Sequence, residues 1–181
     1  MKTLGVFGSW RPQSRDSEYR IARKVGKVAT KLGWTILTGG YSGIMEAACR
    51  GSVEAGGFPI GVTCPEIDSM LVHNQWVRER IQANSLPIRQ ATCLSQCQAV
   101  LFFPGRTGTA AELALATELR SKDILKTPII LIGNFWEPFF EWLESSNNML
   151  AHKADKPSEK RLFVIASSIR DVMRYLSEVS N

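Results

Sequence analysis

Short apolar runs alternate along this chain with longer segments whose apolar residues recur every three or four positions, the pattern of strands followed by helices. Most of the runs are continuous, which is typical of strands covered on both faces of a parallel sheet. Six strands are predicted in this way, over residues 4–7, 35–37, 60–62, 99–103, 129–132 and 162–165. The pattern predicts an α/β fold, a Rossmann-like doubly wound parallel sheet with helices on both faces.

The first amphipathic helix is predicted over residues 17–32, and Gly33 suits the left-handed position that ends many helices. Its apolar stripe consists of Ile21, Ala22, Val25, Val28, Ala29 and Leu32. Its opposite face is basic and carries Arg20, Arg23, Lys24, Lys27 and Lys31. Such a face is usually solvated, and it lacks the interleaved aromatic residues that stack on single strands. Nucleic acid is therefore not the expected partner.

The remaining segments differ in how clearly they show a period. Residues 66–86 show none and predict a long loop with a short helix, after which Pro87 opens a helix that reaches residue 96. Residues 135–143 are apolar around most of a helix, which predicts burial in the core or in a subunit interface. Residues 168–179 predict a last helix that Ser168 and Asp171 can cap. Its inward residues are expected to be Val172, Met173, Leu176 and Val179.

Length, composition and charge restrict the class of protein. The 181 residues fit one domain, and because no linker or repeat interrupts them we predict a single Rossmann-like nucleotide-binding domain over residues 1–181. The net charge of +5 favours anionic ligands without identifying them. The apolar runs are too short to cross a bilayer and no signal peptide is visible, so we expect a cytoplasmic protein that does not enter the membrane. The cysteines lack C-x-x-C spacing and are expected to be reduced; they are Cys49, Cys64, Cys93 and Cys97.

The ligand is expected where the strand order reverses. The order 3-2-1-4-5-6 places the carboxyl ends of strands 2, 1 and 4 side by side, with a crevice between strands 1 and 4. The loops over residues 8–11, 38–43 and 104–109 follow these strands, and the last two are glycine-rich and open a helix. Such loops expose unpaired N–H groups at the positive end of a helix dipole, which predicts a phosphate site. The candidate phosphate-binding residues are Gly8, Ser9, Gly39, Gly40, Ser42, Gly43, Gly105, Arg106, Thr107, Gly108 and Thr109.

Several common site motifs are missing from this sequence. The first loop is not G-x-G-x-x-G and neither glycine loop has a P-loop lysine, so dinucleotide redox chemistry and triphosphate hydrolysis are not expected. His73 and His152 lie far apart and outside any ligand cluster, so no metal site is predicted. A G-x-S-x-G nucleophile motif is missing too. We expect no cofactor.

Glu112 and Arg89 are the candidate catalytic residues. Thr109 and Glu112 have the spacing of a capping box, in which the carboxylate only satisfies the backbone N–H of Thr109. Alternatively, Glu112 lies beside a bound sugar phosphate and stabilises the positive charge that develops on ribose during N-glycosidic cleavage. Arg89, in the helix begun by Pro87, is either a surface residue or a clamp for phosphate or ribose oxygens that also holds Glu112 ionised. The spacing leaves both pairs of alternatives open.

Two stretches carry a resemblance to a known family. Residues 38–46 are T-G-G-Y-S-G-I-M-E and residues 104–112 are P-G-R-T-G-T-A-A-E. They resemble the G-G-x-x-G-[LIV]-M stretch and the P-G-G-x-G-T-x-x-E signature of the LOG ("Lonely Guy") family, long labelled lysine decarboxylase-like. The resemblance extends from about residue 6 to residue 143. It implies a Rossmann-like homodimer that hydrolyses nucleoside 5′-monophosphates to free base and ribose 5-phosphate, with Arg89 and Glu112 as the catalytic residues.

Three departures from the LOG pattern bear on that activity. Arg106 replaces the second glycine of the signature, Gln90 stands where lysine often follows the catalytic arginine, and Glu46 occupies a glycine position of the cytokinin-activating enzymes. The G-I-M-E-A stretch at residues 43–47 and the E-L-A-L-A stretch at residues 112–116 are more similar to the broader branch that contains molybdenum-cofactor carrier proteins. The leading hypothesis is a phosphoribohydrolase acting on AMP or a cytokinin-type nucleotide. The alternative is a carrier that binds a nucleotide or the molybdenum cofactor without turnover.

Overall fold

Seven parallel strands form one sheet in the computed structural model, which describes residues 2–145 and 162–179. The strands are β1 (Lys2–Phe7), β2 (Trp34–Thr38), β3 (Ile60–Thr63), β4 (Glu79–Gln82), β5 (Ala99–Phe102), β6 (Ile129–Ile132) and β7 (Phe163–Ala166). The helices are α1 (Ser17–Lys31), α2 (Ile44–Glu54), α3 (Pro65–Asp68), α4 (Leu86–Ser95), α5 (Thr107–Ser121), α6 (Glu137–Ser145) and α7 (Ile169–Glu178).

The sheet has the order β4-β3-β2-β1-β5-β6-β7, and every pair of neighbours is parallel. The six predicted strands are present in the predicted order, and β1 pairs with β2 on one side and β5 on the other. In the register Gly5 lies between Leu37 and Val100. The strand order therefore reverses between β1 and β5, as predicted, and the Rossmann-like fold class is confirmed.

The long loop predicted over residues 66–86 is wrong in part. The predicted short helix is α3, which lies at the start of the segment, but the segment also contains β4, which extends the sheet beyond β3. This strand has only one neighbour and its residues are mostly exposed. Because an edge strand of this kind buries little side-chain surface, it can be polar and leaves no apolar run in the sequence.

Both faces of the sheet are covered by helices. Leu4 and Val6 of β1 point into a core shared with α1, α2 and α7, whereas Phe7 points into a second core shared with α4, α5 and α6. Side chains alternate between the faces because successive residues of a strand point in opposite directions. The doubly wound arrangement is therefore confirmed.

The ends of α1 and α7 agree with the sequence patterns except at two residues. Gly33 has a φ of +83° and follows α1, as predicted. Ser168 and Asp171 form a reciprocal capping box at the start of α7. Leu32 and Met173 were predicted to point inward, but both are exposed, because Leu32 lies past the last turn of α1 and Met173 lies at the margin of the apolar stripe of α7.

The apolar segment around α6 is buried on one face only. Trp136 and Phe140 lie in the second core, and the Phe140 ring packs on Phe163 with ring centroids 3.9 Å apart. Phe135 and Trp142 remain 52% and 61% exposed. The prediction of burial in the core is therefore correct for the inner face, and burial of the outer face in a subunit interface stays a prediction. Across residues 2–145 and 162–179, no helix combines the length and apolar character that a membrane span needs.

Candidate functional site

Three predicted loops meet at the carboxyl edge of the sheet. The N–H of Ser9 donates to the Pro104 carbonyl oxygen at 3.1 Å, and the Ser9 carbonyl accepts from the N–H of Ile44 at 2.9 Å. The Ser42 hydroxyl also donates to the Trp10 carbonyl at 3.0 Å. The loop over residues 8–11 is therefore in contact with both glycine loops, so the structure brings the predicted loops together.

The first-loop glycine, Gly8, serves packing. A Cβ there would lie 2.8 Å from Phe103 Cβ and 2.9 Å from Ile44 Cγ2, so only glycine lets the loop approach β5 and α2 this closely. Its neighbour Ser9 uses both backbone groups to hold the other two loops, and the Ser9 hydroxyl accepts from the N–H of Arg11 at 3.2 Å. These contacts explain the residue types at this turn without a ligand.

The start of α2 is partly occupied by contacts within the protein. The N–H of Gly40 donates to Thr38 Oγ1 at 3.0 Å, and the N–H of Ile44 is bonded to Ser9. Gly43 has a φ of +70°, which turns the chain into the helix. Glu46 lies in the first turn, where its negative charge opposes the binding of an anion at this helix end. This loop offers less to a phosphate than the sequence alone suggests.

The start of α5 is open. Arg106 is the N-cap residue with extended backbone, and no side chain of the described residues caps the helix. Thr107 and Gly108 are exposed, and a Cβ placed on Gly108 would meet no described atom within 4 Å apart from its chain neighbours and the backbone of its own helix. The first N–H groups of a helix have no partner within it. This helix end therefore combines free N–H groups, an exposed arginine and room for a ligand.

Gly105 and Thr109 form the inner wall of this loop. Thr109 is buried, and its side chain lies against the Cα of Gly105 so closely that a Cβ on Gly105 would overlap it. The N–H of Ala110 makes the first bond within the helix, to the Arg106 carbonyl at 2.8 Å. Glycine at residue 105 thus lets the loop close tightly over the first turn of α5.

Arg89 and Glu112 form a buried ion pair beneath the loops. Arg89 Nη1 lies 3.3 Å from Glu112 Oε1, and the two residues are 6% and 7% exposed. Arg89 Nε also donates to the Val62 carbonyl at 2.8 Å. Burial raises the pKa of Glu112 to about 7, although the charge of Arg89 acts in the opposite direction.

The capping-box alternative for Glu112 is wrong. The helix begins at Thr107, so Thr109 is its third residue and not its N-cap. One turn further on, the Glu112 carboxylate points to Arg89 on α4. The surface alternative for Arg89 is wrong as well, because the side chain is buried between strands and helices.

Gly39 owes its residue type to Arg89. A Cβ on Gly39 would overlap Arg89 Nη2, and the Arg89 guanidinium also lies 5.6 Å from the centre of the Tyr41 ring. The guanidinium therefore contacts the loop after β2, the end of β3 and α5 at once. Arg89 joins the elements that carry both glycine loops.

A cleft of about 340 Å³ opens beside the start of α2. It is lined by Ser42, Glu46, Val72, His73, Asn74 and Gln75. Neither Arg89 nor Glu112 is among these residues, and the loop at the start of α5 does not contribute either. The candidate catalytic pair and this cleft are therefore separate features of the carboxyl edge.

The residues over 68–80 that shape this cleft escaped the sequence analysis. Asn74 donates from Nδ2 to the Tyr41 carbonyl at 2.8 Å, and its N–H donates to the Gly40 carbonyl at 2.9 Å. His73 Nε2 lies 2.7 Å from Asp68 Oδ1. Because the segment has no apolar period and no short motif, its sequence contains nothing that predicts these contacts.

Solved structures of similar fold include proteins that handle the molybdenum cofactor. The molybdenum cofactor carrier protein of Chlamydomonas reinhardtii is 25% identical, with 99% of each chain covered and a TM-score of 0.74. The molybdenum cofactor binding protein of Rippkaea orientalis is 22% identical, with 99% of this chain and 98% of that chain covered and a TM-score of 0.74. DNA processing protein A of Helicobacter pylori, which binds single-stranded DNA, is 12% identical, with 98% and 80% covered and a TM-score of 0.63.

The likeness to the Chlamydomonas protein agrees with the resemblance to the branch that contains molybdenum-cofactor carrier proteins. The two structures below 25% identity show the fold alone, and the Chlamydomonas protein is similar over its whole length. A family profile, the SLOG cluster4 family, matches residues 1–165. Because this match covers most of the sequence, the chain belongs to the SLOG cluster4 family.

Proposed function

We propose that the protein binds a small molecule with a phosphate monoester, of the molybdenum-cofactor type, and carries it without turnover. The observation that carries this proposal is the open start of α5, where Arg106 and Gly108 are exposed and no described side chain caps the helix. A phosphate at this position accepts from the backbone N–H groups and is favoured by the helix dipole and by Arg106.

The full-length similarity to the Chlamydomonas carrier protein supports a pterin as the cargo. The molybdenum cofactor is a pterin that ends in a phosphate monoester, so its phosphate suits the start of α5. The three exposed residues at this helix start, Arg106, Thr107 and Gly108, would hold it. The chemistry of the metal belongs to the cargo, and the chain's own task is to bind it and release it.

The closed arrangement of Arg89 and Glu112 favours binding over turnover. A carboxylate that stabilises a developing charge must touch the reacting sugar. Glu112 is instead 7% exposed and bonded to Arg89, whose guanidinium is also bonded to Val62. The pair therefore serves to join α4, α5 and the sheet beneath the ligand.

The proposal is tested by loading the purified chain with molybdenum cofactor under anaerobic conditions and measuring the molybdenum retained after gel filtration. Arg106→Ala should weaken binding about tenfold, since it removes a charge-assisted bond to phosphate. Lys122→Ala, at the opposite end of α5, is the matched control and should bind as the wild type does. No retained molybdenum, or equal retention by wild type and Arg106→Ala, would contradict the proposal.

The second candidate function is hydrolysis of a nucleoside 5′-monophosphate, as the LOG resemblance implies. The observation that favours it is the Arg89–Glu112 pair itself, because a carboxyl with a pKa near 7 suits proton transfer at neutral pH. Incubation with AMP and isopentenyladenosine monophosphate should then release free base, and Glu112→Gln should abolish the release. A wild type that binds these nucleotides without releasing base excludes this function.

We also propose that the protein acts in the cytoplasm as a homodimer. The four cysteines are free and buried, which agrees with a reducing compartment. Trp142 is exposed on α6 and Phe135 is exposed in the turn before it, and exposed apolar residues of this kind favour contact with a second chain.

A further inference from the structure

We infer that Glu46 determines ligand specificity in the cleft beside α2 by accepting two adjacent N–H donors from a heterocycle, the amide and amino groups that a pterin and a guanine share. The inference rests on the proposed function, because it assumes that the phosphate of the same ligand lies at the start of α5. It adds the chemical group that the other end of the ligand must present.

Most polar groups on the walls of the cleft already have partners. Asn74 donates from Nδ2 to the Tyr41 carbonyl, and its Oδ1 accepts from the N–H of Trp76 at 3.0 Å. Both ring nitrogens of His73 are engaged, with Asp68 at 2.7 Å and with Arg80 at 3.0 Å. These side chains fix the shape of the cleft and have little capacity left for a ligand.

Glu46 keeps hydrogen-bonding capacity. Its Oε1 accepts from the Tyr19 hydroxyl at 2.9 Å. Among the described residues this is the one hydrogen bond that the Glu46 carboxylate makes. A carboxylate offers about four acceptor positions, so several remain. The Tyr19 hydroxyl orients the carboxylate, and the first turn of α2 places its charge at the positive end of the helix dipole.

A carboxylate in this position discriminates between heterocycles by the direction of their hydrogen bonds. Guanine presents N1–H beside a 2-amino group, and a pterin presents N3–H beside a 2-amino group, so either makes two parallel bonds to the two carboxylate oxygens. Adenine presents the N1 lone pair beside its amino group, and this lone pair faces the negative charge. Glu46 therefore favours pterin and guanine over adenine.

The loop over residues 8–11 connects this cleft with the start of α5. Ser9 is bonded to Pro104 on one side and to Ile44 on the other. Ser42, which lines the cleft, is bonded to Trp10 of the same loop. In the inferred binding mode the ligand lies across this loop, with its phosphate at the start of α5 and its heterocycle against Glu46.

The test is calorimetric titration of GMP, 6-hydroxymethylpterin monophosphate and AMP into the full chain at one pH and salt concentration. The wild type should bind GMP and the pterin phosphate about tenfold or more tightly than AMP, and the tighter of the two identifies the natural heterocycle. Glu46→Gln should weaken GMP and the pterin phosphate about ten- to hundredfold, the range for a bidentate contact. Its AMP binding should not weaken and should increase, because the neutral amide removes the negative charge that faces the N1 lone pair of adenine.

Two further variants keep the inference falsifiable. Tyr19→Phe leaves the carboxylate in place without its orienting hydroxyl, so it should weaken GMP several-fold and leave AMP unchanged. Glu118→Gln makes the same chemical change on an exposed face of α5. It should keep the wild-type ratio of the GMP affinity to the AMP affinity.

The outcomes separate this inference from the function on which it rests. Equal wild-type affinity for GMP and AMP, or an equal loss of all three ligands in Glu46→Gln, would overturn the role of Glu46 and leave phosphate binding standing. If the wild type binds none of the three phosphates, the proposed function is wrong and the inference falls with it.

Discussion

Glu112 makes the stability of the protein depend on pH. Its carboxyl has an ordinary pKa of 4.5, which burial raises to about 7 in the folded chain. Between these two values the folded protein holds a proton that the unfolded chain has lost. The free energy of unfolding contributed by this group should therefore fall as the pH rises from 4.5 through 7, and level off above that range.

The variant Glu112→Gln should remove this dependence. In urea unfolding experiments between pH 5 and pH 8, the stability of the wild type relative to the variant should decline by an amount on the order of 1–3 kcal/mol. Glu118→Gln, whose carboxylate is exposed, should leave the slope unchanged. Parallel profiles for wild type and Glu112→Gln would show that the carboxyl keeps its ordinary pKa.

Gly39→Ala should destabilise the fold through Arg89. The new methyl group would overlap the guanidinium, so Arg89 must give up part of its contact with Val62 or Glu112, at a cost of about 1–3 kcal/mol. Chemical denaturation measures the loss. If Gly39→Ala is as stable as the wild type, Arg89 is not confined by the glycine loop.

The candidate site was predictable where residues lie in a motif and unpredictable where they meet through the fold. The glycines and Glu112 lie in short stretches whose spacing is visible, and the resemblance adds Arg89. Whether Glu112 caps a helix or pairs with Arg89 depends on the residue at which α5 begins. The helix begins at Thr107, so Thr109 lies inside the first turn and cannot be the N-cap that Glu112 would complete. Asn74 supports the loop after β2 from a segment without a pattern, and only the fold brings them together.

At the level of elements, predictability follows burial. The central strands, such as β1 and β5, are buried on both faces, so their sequences must be apolar and their runs stand out. The edge strand β4 is mostly exposed and pairs only with β3, so nothing requires its residues to be apolar. The apolar pattern of helix α6 has the opposite effect to the polar pattern of β4. It predicts burial on every face, including a face that only a partner chain could cover.

The start of α5 should show a conflict between stability and binding. Gly108 lies in the first turn with open space around it, so Gly108→Ala should stabilise the unliganded protein by about 0.5–1 kcal/mol. The same methyl group would occupy the space that a phosphate needs near the backbone.

Thermal unfolding with and without GMP measures both effects of this substitution. Gly108→Ala should unfold at a higher temperature than the wild type alone, and GMP should raise that temperature less than it does for the wild type. Lys122→Ala serves as the control at the far end of the helix. An undiminished GMP effect in Gly108→Ala would place the phosphate elsewhere.

For the molecule as a whole, the outer face of α6 predicts self-association. Sedimentation equilibrium should give a mass near twice the chain mass of 20.1 kDa, and Trp142→Ser should shift the equilibrium toward monomer because it removes apolar area from the contact. Lys24→Ser, on the exposed face of α1, should have no such effect. A monomer at every concentration would contradict the homodimer.

The net charge of +5 predicts only weak, salt-dependent contact with nucleic acid. On α1, Arg23 is bonded to Glu54 at 2.6 and 2.7 Å, so part of the basic face is neutralised within the chain. The likeness to DNA processing protein A, at 12% identity, concerns the fold. Single-stranded DNA should therefore bind measurably only at low salt.

A competition experiment at about 150 mM salt separates this weak contact from the proposed site, because counterion release weakens non-specific binding steeply over this range. Labelled single-stranded DNA should show no gel shift, and an excess of it should leave the GMP affinity unchanged. Lys24→Glu with Lys27→Glu should abolish any low-salt shift and keep GMP binding. If DNA binds at this salt concentration and displaces GMP, a bound strand must occupy the same helix start as the phosphate monoester. The loops at the carboxyl edge would then recognise a nucleotide within a strand.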